Sequence, residues 1–262
     1  MSLYTVLFDN ISRFYVTLRI LDPAPTGAVT ENLRIIRAGA ANFYIYAKDG
    51  AYAAFDTGFG KPVIRRELVK LGINPDSISA VFLSHTDFDH AGGLSLFRNA
   101  KIYLSADEEP LILPDTPAAA SATTAPTPGA FSAPAATGDI AATAPRHRIA
   151  RKFPIVYNKR LDRPYRLLRD GDEVSVGGIS VKAIATPGHT VGSMSYVIDG
   201  RYLHVGDAFR VIEGRAYPVV RLINMDHSEC FRSIKKIAGL KGIELILTGH
   251  MGCCDFNRVN FD

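Results

Sequence analysis

Between Ser84 and Gly93 the chain reads Ser-His-Thr-Asp-Phe-Asp-His-Ala-Gly-Gly, which packs His85, Asp87, Asp89 and His90 into six residues. Imidazole and carboxylate are the usual protein ligands for zinc and its neighbours, and a chelate needs several of them converging on one point. Packing does not explain four such side chains directly behind the apolar stretch at residues 80–83. Three more candidates stand in comparable places: His189 in Thr186-Pro-Gly-His189, Asp207 in Gly206-Asp207, and His250 in Thr248-Gly-His250. Each lies just past an apolar run, and several are flanked by glycine, as expected of loops shaped around a site. A single histidine is more often a hydrogen-bonded structural residue. The shared position of all seven candidates at strand ends points instead to a metal centre. His147, His204 and His227 lack that setting and read as a basic-segment residue, a strand side chain and a residue of a helix's first turn.

The elements that must carry these residues follow from the hydrophobic pattern. Strands are predicted at residues 33–37, 42–47 and 51–55, the last two joined by the turn Lys48-Asp-Gly50 and followed by Asp56-Thr-Gly58. Residues 62–71 read as a helix, with Pro62 at its start, Val63, Ile64, Leu68 and Leu71 on one face, and Gly72 as its stop. The strand at 80–83 then delivers the cluster. Gly92-Gly93 permits a close backbone approach behind it, before a short helix at 94–97 and a strand at 101–104. In the second half, 173–176 and 179–185 form a hairpin about Gly177-Gly178 that leads to His189. A further hairpin, 193–198 with 202–205 across Asp199-Gly-Arg201, delivers Asp207. Asp226 reads as the N-cap of a helix through Ala238 ended by Gly239, and the apolar strand at 243–247 ends at His250.

With 262 residues and 47% hydrophobic content the chain can bury a sizeable core, and a single domain over residues 1–262 is predicted. No apolar stretch reaches the roughly 18 to 20 residues that span a bilayer. The N-terminal run is broken by Asp9, Asn10 and Arg13, so a cytoplasmic location without membrane contact is expected. Cys230, Cys253 and Cys254 match neither a disulfide framework nor a zinc finger, which agrees with a reducing compartment. They read as buried or inert thiols; a redox or inhibitory metal contact through Cys253-Cys254, close after His250, is the alternative.

Residues 114–145 are almost wholly Ala, Pro, Thr, Ser and Gly, with Asp115 and Asp139 the only charges. Such a tract cannot build a core and is predicted to be a disordered insertion, because chemistry-bearing residues fall on both sides of it. A linker between two complete domains is the other arrangement. The net charge of +4 is uneven: between Arg146 and Arg169 nine Lys or Arg residues face one acid, Asp162. That strip is either a solvated surface or a field that steers an anionic substrate. Residues 157–169 read as an ordinary connection or as an element covering the substrate, with Lys159 and Arg160 as its contacts.

The pieces Asp56-Thr-Gly58, His85 to His90, Pro187-Gly-His189, Gly206-Asp207 and Gly249-His250 together resemble the metallo-β-lactamase superfamily of metal-dependent hydrolases in identity, order and spacing. The resemblance extends from about residue 32 to residue 250. It implies an α+β fold, a four-layer αββα sandwich of two related halves with the site at one edge between the sheets. Carried over, His85 and His189 would serve one metal, Asp89, His90 and His250 the second, and Asp207 would bridge them, with Asp56 orienting the groups around the site. The family commonly reads His-x-His-x-Asp-His, whereas Asp87 stands at the second histidine position here. Asp87 could ligate through oxygen, bind weakly and leave a mainly mononuclear centre, or mark a degenerate protein. Ligation is favoured, because a His-x-Asp-x-Asp-His variant occurs in some members and the rest of the ligand set is complete.

Two divalent metals about 3.5 to 4 Å apart could hold a bridging hydroxide and polarise a carbonyl or phosphoryl oxygen. Zinc is the first expectation, with manganese or iron suited by the harder Asp87. By resemblance Asp89 and Asp207 are the catalytic carboxylates, Asp89 passing a proton to the leaving group. The expected activity is hydrolysis of a small ester, thioester or lactone, of which an anionic one would suit the basic strip. A phosphodiesterase or nuclease is the enzymatic alternative, disfavoured because no aromatic-interleaved basic surface is present. A non-catalytic metal-binding or regulatory protein is the other.

Overall fold

The structure, a computed structural model, describes residues 21–112 and 161–262. The low-complexity insertion at 114–145, His147, Lys159 and Arg160 lie outside the described residues.

The first sheet comprises β1 (Gly27–Ala28), β2 (Leu33–Ala38), β3 (Ala41–Lys48), β4 (Ala51–Phe55), β5 (Ala80–Phe82), β6 (Lys101–Ser105) and β7 (Tyr165–Leu168), in that spatial order. β1 to β4 pair antiparallel and β4 to β7 parallel. The second sheet uses β8 (Glu173–Val176), β9 (Ile179–Ala185), β10 (Met194–Ile198), β11 (Tyr202–Gly206), β14 (Leu245–Thr248) and β15 (Cys253–Asp255), ordered β15-β14-β11-β10-β9-β8. Between β11 and β14 the chain makes a separate hairpin, β12 (Arg210–Ile212) with β13 (Arg215–Tyr217). The helices are α1 (Lys61–Lys70), α2 (Phe88–Ala91), α3 (Glu109–Ile112) and α4 (His227–Ala238). No described helix is long and apolar enough to cross a membrane.

Period-two alternation sorts the strand residues into layers. On β3, Tyr44 and Tyr46 face the second sheet and join Ile179, Val181, Tyr196 and Leu247 in a shared inner core. Phe43 and Ile45 point the other way and meet Ile64 and Leu68 of α1. On the outer face of the second sheet, Leu203, Val205 and Ile246 pack against Ile234 and Ile237 of α4. The result is helix, sheet, sheet, helix, the predicted four-layer sandwich.

The predicted strands and both long helices form where the pattern places them, with ends shifted by a residue or two. Asp226 caps α4 by accepting a hydrogen bond from the Glu229 N–H at 2.9 Å. The turns Asp49-Gly50 and Gly177-Gly178 have both central residues at positive φ, the geometry that matches the twist of a two-residue hairpin. Of the segment 157–169, residues 165–168 are β7, an edge strand paired with β6. That part is an ordinary sheet element rather than a cover.

Candidate metal centre

β4 and β5 run parallel in the first sheet, and β9, β11 and β14 share a direction in the second. Their C-terminal ends therefore lie at one edge of the sandwich, where they deliver Asp56, the loop at 84–87, His189, Asp207 and His250. Two contacts draw the sheets together there. Met194 N–H donates to the Ser84 carbonyl at 2.9 Å, and the Tyr44 hydroxyl lies 2.9 and 2.8 Å from the carbonyl oxygens of Thr248 and Gly252. A register shift between His204 and Gly206 bends the end of β11. Gly206, at φ 50°, passes so near Ser84 that a Cβ would sit 2.3 Å from Ser84 Oγ. Gly93 makes the close approach expected of it, with a Cβ position 2.3 Å from the Thr57 carbonyl oxygen.

All seven sequence-predicted ligands meet. Ligand atoms of His85, Asp87 and His189 lie within 4.8 Å of one another, as do those of Asp89, His90 and His250, and those of His85, His90 and Asp207. Asp87 Oδ2 is 3.1 Å from His189 Nε2 and 3.5 Å from His85 Nε2. Asp207 stands between the two groups, with Oδ1 3.4 Å from His90 Nε2 and Oδ2 3.2 Å from His250 Nε2 and 3.8 Å from His189 Nε2. Asp89 Oδ2 is 3.5 Å from His250 Nε2, and its side chain, 19% exposed, is the most open of the three carboxylates. No candidate metal group among the described residues includes a cysteine. Burial pushes the Cys254 thiol up to about 11 and Cys253 upward as well, so both are inert thiols at neutral pH.

Hydrogen bonding fixes the tautomer of each histidine. His250 Nδ1 faces the Ala40 carbonyl oxygen at 2.7 Å and must donate. His90 Nδ1 donates to Asp56 Oδ2 at 2.8 Å. Ser84 Oγ gives its one proton to the same oxygen at 2.8 Å, so it accepts from His85 Nδ1 at 2.9 Å. Asn224 Nδ2 donates to the Val219 carbonyl, which orients its amide so that Oδ1 accepts from His189 Nδ1 at 3.1 Å. Four Nδ1–H groups thus point outward and leave the four Nε2 atoms facing inward, the arrangement that outer partners impose on ligating histidines. His90 Nε2 and His250 Nε2 face each other at 3.3 Å, and buried His85 Nε2 and Asp207 Oδ1 make no hydrogen bond. Closely facing ring nitrogens and orphaned buried atoms suit a cation at their focus.

The charge balance agrees. Burial alone would lower His90, but Asp207, Asp89 and Asp56 outweigh it and hold its pKa well above the usual value; against the same opposing burial, Asp207 and Asp89 raise that of His250. Burial opposes ionisation of Asp87, yet His85 and His189 hold it well below the usual carboxylate range, as His250 and His90 hold Asp207. The field that draws protons onto Nε2 is one a divalent cation would satisfy, with proton release.

Several residues escaped sequence reasoning. His204 is a strand residue as expected, but its Nε2 lies 2.9 Å from Asp56 Oδ2 inside the core. Asp56, fully buried at φ 62°, therefore joins His90, His204 and Ser84 through one carboxylate. That backbone conformation costs an L-residue roughly 1–2 kcal/mol, offset here by the hydrogen bonds. His227 opens α4 as expected and also accepts from Asn224 Nδ2 at 2.9 Å, one residue removed from His189. Ser84, Asn224 and Glu108 carried no signal in the sequence beyond Ser84's place beside His85.

The sequence profile described as the Metallo-beta-lactamase superfamily matches residues 36–250. A hydroxyacylglutathione hydrolase of Brucella anthropi is 37% identical over 87 residues, 32% of this chain and 31% of that protein's length. Its Brucella ovis counterpart is 34% identical over 86 residues, 32% of each chain. The chain thus matches about a third of the length of these relatives. Among solved structures, a B3 metallo-beta-lactamase described as having an active-site glutamic acid is similar at TM-score 0.60 and 18% identity, covering 92% of this chain and 86% of the other. A subclass B3 enzyme of Bradyrhizobium japonicum gives TM-score 0.58 and 16% identity, covering 90% and 81%. At those identities the likeness is one of fold, and it agrees with the layers and strand-end site described above. Profile, fold and the convergence of strand ends on one edge place this chain in the metallo-β-lactamase superfamily.

Proposed function

We propose that the protein is a metal-dependent hydrolase of a small ester, thioester or lactone, with two divalent cations, zinc foremost, held at the strand-end cluster. His85, Asp87 and His189 would hold the first, Asp89, His90 and His250 the second, and Asp207 would serve both. One observation carries this reading: four Nε2 atoms converge with three carboxylates, and every Nδ1 is tied to an outer acceptor. Each position then has two imidazoles and one carboxylate around the shared Asp207, a more oxygen-rich set than three imidazoles, which also suits manganese or iron. Asp87 supports its own assignment by where it points. It occupies the N-cap of α2 yet makes no side-chain cap hydrogen bond, its carboxylate being turned toward His189 and His85.

Bound there, the cations would supply Lewis acidity toward a carbonyl oxygen and acidify a water molecule. The chain's residues do the rest. Asp207 and Asp87 neutralise charge at the buried end of the site. Asp89, more open than either, is the carboxylate that can move a proton to a departing alcohol or thiol. Asp56 holds His90 in its donor-outward tautomer, and Ser84 does so for His85. Relatives named hydroxyacylglutathione hydrolase support an acyl substrate over a nucleic acid. The test is a panel of ester, lactone, thioester and phosphodiester substrates with metal-free and metal-loaded protein. Chelator-sensitive turnover of a carbonyl substrate is expected; turnover confined to the phosphodiester would overturn the substrate class.

A further inference from the structure

We propose that Glu108 is a positioning residue for the first metal position, a carboxylate strap between the loop that carries His85 and Asp87 and the loop that carries His189. The proposal rests on the ligand assignment above. Glu108 lies between β6 and α3 and is fully buried. Its Oε1 accepts hydrogen bonds from Thr86 N–H and Thr86 Oγ1, both at 2.8 Å, and its Oε2 accepts from Thr190 Oγ1 at 2.6 Å. Thr86 separates His85 from Asp87, and Thr190 follows His189. One side chain is therefore bonded to a chain neighbour of every proposed ligand of that position except the shared Asp207.

The backbone shows how closely the second loop is seated. A Cβ on Gly192 would fall 2.1 Å from Glu108 N, so only glycine lets residues 188–193 lie against this turn. Loop closure alone does not call for a carboxylate, because burying one is costly unless its charge is used. Burial raises the Glu108 pKa, while His85 and the two threonines pull it back down. Bonded to both loops, the strap fixes the span between Asp87 and His189. Asp56 stands behind both positions, bonded to His90 of the second and, through Ser84, linked to His85 of the first.

Zinc titrated into the metal-free whole chain against a chromogenic chelator reads both equivalents. Glu108→Ala is expected to weaken one equivalent by about 10- to 100-fold and leave the other unchanged. Glu108→Gln, which keeps the acceptor for Thr86, should recover part of that loss, and Thr190→Val should weaken the same equivalent less. Adding Asp87→Ala to Glu108→Ala should lose less than Asp87→Ala loses alone, because both act on one position. Additive losses, equal weakening of both equivalents, or unchanged affinity in these variants would overturn the strap. If Glu108→Ala does not fold, Thr190→Val and Glu108→Gln carry the test. A wild-type chain that fails to bind two equivalents would overturn the ligand assignment itself, a failure distinct from that of the strap.

Discussion

Asp87 stands where the family commonly has a histidine, and its geometry separates the roles an aspartate could play there. At an N-cap a carboxylate ordinarily accepts from the first turn of the helix. Asp87 makes no such bond and lies 3.1 Å from His189 Nε2. Asp87→Ala is therefore expected to reduce zinc content from two per chain to one, read by elemental analysis after metal loading; two zinc ions retained at unchanged affinity would retire it as a ligand. His90→Ala and Asp207→Ala remove a proposed ligand and the proposed shared carboxylate, and each should abolish metal-dependent turnover while circular dichroism stays native. Normal turnover in either variant would refute the assignment. The convergence of the seven candidate ligands was legible in the sequence because each combines a metal-competent type with a place just past an apolar strand. Their outer partners were not: Glu108 reaches Thr190 across 82 residues and His204 reaches Asp56 across 148, distances at which pattern along the chain carries no information.

Strands and helices set the precision of the site. Gly206 ends β11 at φ 50° against Ser84, so Gly206→Ala combines a left-handed strain with a steric clash. A destabilisation of about 1–3 kcal/mol is expected, with weaker zinc binding because Asp207 follows directly; an unchanged melting temperature and zinc affinity would contradict it. On α1, Lys70, Arg66 and Thr26 outweigh burial and hold Glu67 down to about 2. Its folded pKa is depressed, so its contribution is present above the unfolded value near 4.5 and is lost as pH falls toward 2. Glu67→Gln should accordingly lower the melting temperature at pH 7 and have little effect at pH 2; an equal loss at both would contradict this. Hairpins with Asp-Gly or Gly-Gly turns and the amphipathic α1 and α4 were legible. β7, β12, β13 and β15 were not, since three or four residues hold too little alternation and form strands only through distant partners.

At the scale of the molecule, two sheets share one apolar interior and bring strand ends from both halves of the chain to a single edge. That arrangement explains why candidate ligands separated by 160 residues, His90 and His250, come within 3.3 Å. Inner and outer faces alternate along β3 and β9 in the structure, but the layer order was legible only through the family resemblance. Substrate preference was not, because it belongs to loops and rims rather than to the repeating pattern. A metal-loaded protein is expected to melt well above the metal-free one, since cations that bind only the folded cluster add their binding free energy to stability; the shift should vanish in Asp207→Ala. The central claim, a two-cation centre built from these seven residues, is tested most directly by counting metal per chain. Elemental analysis of the purified protein after supplementation with zinc, manganese and iron in turn should find two ions per wild-type chain with at least one of these metals. Less than one ion per chain with every metal would contradict it.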